Sequence, residues 1–222
     1  MNNIEFRLRQ QLIQYAILIN DSGINQGTSG NLSVRFGSGM LITPSGIPYT
    51  DLIPDSITYM ELDNPKGIWQ GTFKPSTEWR FHRDLLNSRP DINAIIHTHS
   101  PYATSIAITR RPIPAIHYMI AAFGGHDIRC ADYATFGTEA LSEHVLTAMQ
   151  DRLGCLMANH GMLVGGNDLT KALWLAVELE NLARQYYHSL QIGNPHILSE
   201  AEINEALAKF KNYGLQGTDF QS

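Results

Sequence analysis

Two short apolar segments that each end in histidine constrain the fold of this chain more than any other feature. Residues 94–99 have the sequence Ala-Ile-Ile-His-Thr-His, and residues 155–160 have the sequence Cys-Leu-Met-Ala-Asn-His. Apolar runs of this length are typical of buried strands. Because helical patterns lie on both sides of each run, we expect both strands inside a sheet that is covered by helices.

The remaining pattern predicts helices and strands in irregular alternation. Helical spacing of apolar residues predicts helices over residues 4–20, from near 76 to 89, and over 101–110, 138–151 and 168–191, with a last helix after the capping box Ser199-x-x-Glu202. Further strands are predicted at 31–36, 40–43, 57–62 and 162–165. No repeat or linker divides the sequence, so residues 1–222 are expected to form one domain. The predicted class is α/β (α+β in some schemes), with a mainly antiparallel central sheet between two helical layers.

Composition narrows the class of partner. The chain has 222 residues, of which 43% are hydrophobic, and 16 Lys+Arg against 21 Asp+Glu give a net charge of −5. Nucleic acids and anionic membranes are met by clustered positive charge, so neither is expected as a partner. No apolar run approaches the ~20 residues that span a bilayer. The N-terminus lacks a signal-peptide pattern, and the two cysteines form no metal or redox motif, so we expect a cytoplasmic protein.

The histidines that end the two strands are candidate metal ligands. His97 and His99 are two residues apart on a strand, so their side chains point to one face. His160 ends the second strand in an equivalent position. Imidazole suits Zn²⁺ best, with Cu, Fe and Ni as alternatives, and three histidines leave a fourth position open. Glu78, in the first turn of its predicted helix, is the candidate for that position. Two surface histidines at a strand end would give the same His-x-His spacing, so the pair alone leaves both interpretations open.

Other histidines and three small-residue stretches are less specific. His82, His144 and His188 lie in predicted helices and are interpreted as exposed or structural. Glycine, serine and threonine cluster at residues 27–31, 43–46 and 74–78, where backbone N–H groups can bind an anion. Ordinary turns have the same composition, and Ser76 is also a natural helix N-cap. The third stretch ends at Glu78, so an anion bound there would lie beside the metal.

Several longer segments together resemble the class II aldolase/adducin family. They include Gly-Met-Leu-Ile-Thr-Pro-Ser-Gly-Ile-Pro-Tyr at 39–49, Ser-Thr-Glu-Trp-Arg-Phe-His at 76–82, Ile-Pro-Ala-Ile-His-Tyr-Met-Ile-Ala-Ala at 113–122 and Tyr-Ala-Thr-Phe-Gly-Thr at 133–138. The likeness extends nearly end to end, as far as residue 214. The small differences from the family pattern, such as Thr77 in place of serine, lie near the site and remove no proposed ligand.

The resemblance implies a set of site residues. One divalent ion, Zn²⁺ with Mn²⁺ or Co²⁺ as alternatives, would be bound by Glu78, His97, His99 and His160. The substrate phosphate would be held by Gly30, Asn31, Ser45, Gly46, Ser76 and Thr77. Tyr118 would act as an acid and base from a neighbouring subunit of a cyclic homotetramer, so that active sites lie at subunit interfaces. Phe136 and Tyr213 would lie near the aldehyde end of the substrate.

The same resemblance implies the activity. We expect reversible retro-aldol cleavage of L-fuculose 1-phosphate, or a related ketose 1-phosphate, to dihydroxyacetone phosphate and L-lactaldehyde, with Glu78 and Tyr118 moving protons. The alternatives are an aldolase for 5-deoxyribulose 1-phosphate and 5-methylthioribulose 1-phosphate, a pentulose-5-phosphate 4-epimerase, and a non-enzymatic adducin-like scaffold. Glutamate rather than aspartate at Glu78 favours an aldolase over an epimerase, and the complete ligand set argues against a scaffold.

Overall fold

An eight-stranded sheet forms the middle layer of the computed structural model, which describes residues 1–210. Its strands are β1 (Asn31–Phe36), β2 (Gly39–Ile42), β3 (Thr58–Glu61), β4 (Trp69–Gln70), β5 (Ala94–Thr98), β6 (Cys130–Ala131), β7 (Gly154–Met157) and β8 (Gly161–Gly166). The spatial order is β4-β3-β2-β1-β5-β8-β7-β6. Among these strands, β6 and β7 pair in parallel and the other neighbours pair antiparallel.

Helices cover both faces of this sheet. They are α1 (Asn3–Asp21), α2 (Trp79–Ser88), α3 (Pro101–Ile108), α4 (Glu139–Ala148), α5 (Leu169–Ile192) and α6 (Glu200–Phe210). Helices α1, α3 and α5 share one apolar core, α2 and α4 share the other, and α6 packs on a 3-10 helix, Tyr118–Phe123. The predicted three-layer α/β fold with a mainly antiparallel sheet is therefore confirmed.

The two cores are separated by the alternation of side chains along the central strands. On β5, Ile96 packs in the core with α1, α3 and α5, whereas Ile95 packs in the core with α2 and α4. Successive strand residues point to opposite faces, so His97 lies on the same face as Ile95. This alternation directs His97 toward the helix that Glu78 precedes.

Side chains at the helix starts explain where the helices begin. Asp168 accepts a hydrogen bond from the Lys171 N–H at 2.7 Å at the start of α5. The predicted capping box of α6 is confirmed, since Glu202 accepts from the Ser199 N–H at 2.7 Å and the Ser199 hydroxyl accepts from the Glu202 N–H at 3.3 Å. These caps satisfy N–H groups that have no partner inside a helix.

Some boundaries differ from the prediction. The segment predicted as a strand over 155–160 leaves the sheet after Met157, because Asn159 adopts a left-handed conformation with φ of 54° and turns the chain into β8. Leu190, near the end of α5, is 43% exposed because the end of that helix extends past the core. Within residues 1–210, none of the helices is both long and apolar enough to cross a membrane.

Candidate metal centre and active site

Three parts of the fold bring the four proposed metal ligands to one point. His97 lies in β5 and His99 just beyond its end, while His160 is the last residue of the turn before β8. Glu78 stands immediately before α2 rather than in its first turn, and its side chain is directed toward the histidines. The Ser76 hydroxyl accepts a hydrogen bond from the Glu78 N–H at 3.3 Å, which fixes the backbone at this position.

The four side chains form a compact cluster. Their ligand atoms all lie within 4.8 Å of one another, and Glu78 is only 6% exposed. The Nε2 atoms of His97 and His99 are 3.1 Å apart. Glu78 places Oε2 3.3 Å from Nε2 of His97 and Oε1 3.1 Å from Nε2 of His160. Ligands of a tetrahedral ion with bonds of about 2.0–2.1 Å are separated by roughly 3.3 Å, so these distances match such an ion.

The hydrogen-bonding chemistry of the cluster also fits a cation. Nδ1 of His97 lies 2.8 Å from the carbonyl oxygen of Met162, and because a carbonyl only accepts, Nδ1 carries the hydrogen. In the neutral ring, Nε2 is then a bare lone pair that faces Nε2 of His99 and a carboxylate oxygen. Within residues 1–210, Oε1 of Glu78 is buried with no hydrogen-bond donor. Lone pairs converging in a buried site are satisfied by a shared cation, so the residues fit a divalent metal.

Electrostatics keep the ligands in their metal-binding forms. Burial by itself raises the pKa of the Glu78 carboxyl, but charge and hydrogen-bond interactions with the facing His97 and His160 rings favour the carboxylate, outweigh burial and hold this pKa well below its usual range. Burial, with the neighbouring His97 and His160, lowers the pKa of His99 to about 4. At neutral pH the site therefore contains a carboxylate and a neutral imidazole, the forms that bind a metal.

Two glycines make room for this cluster. A Cβ atom on Gly161 would collide with the carbonyl oxygen of Thr98 and lie 3.0 Å from Cδ2 of His99. Gly30 has φ of 75°, and a Cβ there would lie 2.7 Å from the carbonyl oxygen of His97. Both positions therefore require glycine for the histidines to adopt the observed arrangement.

An open pocket of about 320 Å³ lies beside the cluster. One wall is built from residues 28–31, 44–46 and 76–78, so it contains all six predicted phosphate-binding residues, and His99 and His160 line the same pocket. The N–H groups of Ser45 and Ser76 donate to the carbonyl oxygens of Lys74 and Thr43 at 3.1 and 3.0 Å. Within residues 1–210, the next N–H group in each loop, at Gly46 and Thr77, donates to no backbone acceptor, so both are candidates to bind an anion near the start of α2.

Of the three aromatic residues predicted at the site, one lines the pocket, one lies elsewhere in the subunit, and one is outside the described residues. Phe136 lines the pocket, as do the six predicted phosphate-binding residues, and is 62% exposed. Tyr118 does not line it; this residue begins the 3-10 helix, is 56% exposed, and borders a separate groove with Glu202 and Lys209. Tyr213 lies outside the described residues. Within one subunit the structure therefore joins the metal cluster and the phosphate wall but does not bring Tyr118 to them.

One histidine of the site was missed from the sequence. His82, predicted to be exposed or structural, is fully buried, and burial lowers its pKa to about 3. Its ring contacts Asn31 and Ser33, and Asn31 in turn contacts Glu78. Glu78 and His82 are four residues apart, a helical spacing, and Asn31 and Ser33 are two apart, a strand spacing. Those spacings were visible in the sequence. Whether the helix pair contacts the strand pair, however, depends on how α2 packs on β1.

Comparison with known proteins gives the family. Residues 10–187 match the family described as the class II aldolase and adducin N-terminal domain. A 5-methylthioribulose-1-phosphate/5-deoxyribulose-1-phosphate aldolase of Rhodospirillum rubrum is 52% identical over 207 residues, which cover 93% of this chain and 92% of that protein. The L-fuculose phosphate aldolase of Escherichia coli (strain K12) is 48% identical over 211 residues, which cover 95% of this chain and 97% of that protein.

A solved structure agrees with the sequence matches. An L-fuculose 1-phosphate aldolase superposes with a TM-score of 0.88 at 39% identity, covering 91% of this chain and 95% of that one. The chain belongs to the class II aldolase and adducin family. Its named relatives over nearly the full length are aldolases, and this chain is a class II aldolase.

Proposed function

We propose that this aldolase cleaves a ketose 1-phosphate between C3 and C4 to dihydroxyacetone phosphate and an aldehyde. The observation that carries the proposal is that an anion-binding wall and a His₃Glu cluster share one pocket, with Glu78 adjoining both. A phosphate held by Gly30, Asn31, Ser45, Gly46, Ser76 and Thr77 positions the substrate while its C2 and C3 oxygens face the cluster. Binding energy at the phosphate then orients the reacting bond.

Glu78, His97, His99 and His160 would hold the metal. Three imidazoles and one carboxylate favour Zn²⁺, with Mn²⁺ and Co²⁺ as the alternatives. When bound, the ion supplies a Lewis acid for the negative charge that develops at the substrate C2 carbonyl. The buried protein groups around it hold this charge away from bulk water.

Two residues move the protons of the cleavage. Tyr118 takes the proton of the C4 hydroxyl as the C3–C4 bond breaks, so that C4 becomes the aldehyde carbon. The bonding pair remains on the dihydroxyacetone phosphate fragment as an enediolate. Glu78, which takes up a proton from water in the open pocket before this step, delivers that proton to C3, and Tyr118 returns the proton of the C4 hydroxyl to water. In the synthetic direction the same two groups act with reversed roles. Oε1 of Glu78, which has no donor within residues 1–210, is the oxygen that carries this proton.

The site is completed in an oligomer. Tyr118 is exposed and lies outside the pocket of its own subunit, which supports its contribution to the pocket of a neighbouring one. We propose a cyclic homotetramer with active sites at the subunit interfaces. We also propose that residues 1–222 form one domain that works in the cytoplasm, where the free thiols of Cys130 and Cys155 suit a reducing environment.

The aldehyde half of the substrate distinguishes the two leading candidates. L-fuculose 1-phosphate releases L-lactaldehyde, which carries a hydroxyl beside the carbonyl, and the 48% identical relative acts on L-fuculose phosphate by name. Substrates lacking that hydroxyl, 5-deoxyribulose 1-phosphate and 5-methylthioribulose 1-phosphate, are supported by the 52% identical relative. Tyr133, Phe136 and Asn159 also line the pocket, and these aromatic and amide side chains are our candidates for contact with the aldehyde half.

A side-by-side assay tests the proposal. L-fuculose, L-rhamnulose, 5-deoxyribulose and 5-methylthioribulose 1-phosphates are supplied separately, and dihydroxyacetone phosphate is trapped by a coupled NADH-dependent reductase. We expect release of dihydroxyacetone phosphate, with the largest kcat/KM for L-fuculose 1-phosphate. A larger value for either 5-substituted ribulose phosphate assigns the second candidate. No release from any of them, or epimerised sugar in place of two fragments, contradicts the proposed reaction.

A further inference from the structure

A buried line of hydrogen bonds leads from the interior of the protein to Glu78. The Ser33 hydroxyl lies 2.7 Å from Nδ1 of His82, and Nε2 of His82 lies 2.5 Å from Oδ1 of Asn31. The Asn31 amide nitrogen then donates to Oε2 of Glu78 at 2.9 Å. All four side chains are buried, and Ser33 and His82 have no exposed surface.

The carboxylate at one end fixes the direction of every bond in this line. An ionised carboxylate only accepts, so Asn31 must present its NH₂ group to Glu78 and its carbonyl oxygen to His82. That oxygen also only accepts, so Nε2 of His82 carries the hydrogen. Nδ1 of the neutral ring is then an acceptor, and the Ser33 hydroxyl donates to it. Reversing any one bond would place two donors or two acceptors face to face.

The fold positions both ends of the line. Asn31 and Ser33 are two residues apart on β1 and point to one face of the sheet, and Asn31 is paired with His97 across the ladder to β5. Glu78 and His82 are four residues apart at the start of α2, which packs on that face. Asn31 and Ser33 on the strand therefore contact Glu78 and His82 on the helix. As a result, Oε2 of Glu78 accepts a hydrogen bond from Asn31, whereas Oε1 has no donor within residues 1–210.

We propose that His82 is a positioning residue that acts through Asn31 to hold the Glu78 carboxylate, with Oε2 anchored and Oε1 presented to the metal and to C3 of the substrate. This inference rests on the proposed function, because it assumes that Glu78 binds the metal and transfers the proton. His82 itself does not line the pocket and touches no substrate. Its contribution is the orientation of a carboxylate that would otherwise rotate about its side-chain bonds.

A purely packing role for His82 predicts a different outcome. His82 is stacked on Phe81, with ring centroids 4.8 Å apart, so an apolar residue of similar size would preserve much of the packing. A packing role makes the activity depend on stability alone. A positioning role makes it depend on the N–H group that faces Asn31, whichever side chain supplies that group.

Two substitutions separate these roles. His82→Gln can still donate to the Asn31 carbonyl oxygen and accept from Ser33, whereas His82→Leu can do neither. We expect His82→Leu to lower kcat by about 10- to 100-fold with a smaller change in KM, and His82→Gln to stay within about threefold of the wild type. Leu85→Ala, one turn along α2 at a buried position outside the line, is the control for lost stability.

A spectroscopic measurement reports on Glu78 without turnover. In Co²⁺-loaded protein the visible absorption bands depend on the number and arrangement of ligands. His82→Leu is expected to shift these bands and to weaken Co²⁺ binding by about tenfold, whereas Leu85→Ala and His82→Gln leave the wild-type spectrum. Thermal unfolding of all the variants shows whether each is folded at the assay temperature.

A double-mutant cycle tests whether His82 acts through Asn31. In an Asn31→Ala background, His82→Leu should reduce kcat by no more than about twofold, since the intermediate group is already absent. The proposal is overturned if the two losses multiply, if His82→Gln and His82→Leu are equally impaired, or if His82→Leu matches Leu85→Ala in both kcat and spectrum. Glu78→Gln is measured in parallel: full activity there refutes the role of Glu78, whereas an inactive Glu78→Gln beside an unaffected His82→Leu refutes this inference alone.

Discussion

Glu78 is the residue at which the parts of the pocket meet. It follows the phosphate wall in sequence, precedes α2, and faces the three histidines with a carboxylate that is 6% exposed. A buried carboxylate is costly unless positive charge accompanies it, and the cluster that Glu78 forms with the three histidines is where a bound cation would supply that charge. Its burial therefore supports both proposed roles, as a metal ligand and as a group that transfers a proton.

The substitution Glu78→Gln tests these roles directly. Glutamine has nearly the same shape, so we expect the fold to persist in circular dichroism and thermal unfolding. Because an amide cannot transfer the proton, kcat for cleavage should fall by about 10²-fold or more. Steady-state kinetics on the preferred sugar phosphate measure this loss, and near-wild-type turnover would remove Glu78 from the mechanism.

Gly161 permits the histidines to converge, and Gly161→Ala tests that statement. The added methyl group must displace the Thr98 carbonyl or the His99 ring. We expect a loss of stability of about 1–3 kcal/mol and metal binding at least about tenfold weaker. Chemical denaturation and competition with a chromophoric chelator measure the two effects. Gly193→Ala is the control, because a Cβ there meets no atom within 4 Å; equal metal affinity in the two variants would show that the site tolerates the methyl group.

At the scale of elements, α5 fixes the direction that the chain takes after His99. The Glu180 carboxylate accepts hydrogen bonds from the N–H groups of Tyr102 and Ala103, each at 2.8 Å, and so caps the start of α3 from a neighbouring helix. Only Ser100 and Pro101 separate this cap from His99. The long helix therefore supports the metal cluster without contributing a ligand.

The substitution Glu180→Gln tests this support. The amide oxygen can replace one acceptor but its NH₂ group faces a donor, so we expect a loss of about 1–2 kcal/mol in the free energy of unfolding. Urea unfolding followed by circular dichroism gives the value. Glu178→Gln, on the same helix and outside the cap, should change stability by less than about 0.5 kcal/mol. Equal effects for the two variants would contradict the capping role.

Elements with a strong period were predictable from the sequence, whereas their contacts were not. The apolar run of β5 and the long amphipathic pattern of α5 predicted both elements within a few residues. The two-residue strands β4 and β6 have too few side chains to show a period, and they form because a neighbouring strand supplies the hydrogen bonds. The 3-10 helix at Tyr118–Phe123 was missed because its apolar residues divide between the core with α1, α3 and α5 and the contact with α6, and both contacts involve distant parts of the chain.

The same distinction applies to the site. Spacing predicted that His97 and His99 share a face, and the structure brings His160 and Glu78 to them. The buried chain of hydrogen bonds through His82 was missed because it depends on the register between β1 and β5 and on the packing of α2 against the sheet. A single-sequence pattern specifies which residues share a face of an element, but not which face another element covers.

At the scale of the whole molecule, the pocket contains Glu78 but not Tyr118 of its own chain. If Tyr118 acts across an interface, mixed oligomers of Glu78→Gln and Tyr118→Phe subunits contain some sites with both native residues. Random mixing in equal amounts should restore about one quarter of wild-type activity, from two variants that are nearly inactive alone. The mixture is prepared by denaturing and refolding together. Activity no higher than the mean of the parents would place both residues in one subunit.

The metal dependence of cleavage tests the central claim most directly. Protein stripped with a chelator is titrated with Zn²⁺ while dihydroxyacetone phosphate release is followed, and bound metal is counted by mass spectrometry. Because Glu78, His97, His99 and His160 form one cluster, we expect the stripped protein to be inactive and activity to rise linearly to one Zn²⁺ per chain. Undiminished cleavage by protein verified to be free of metal would contradict the account.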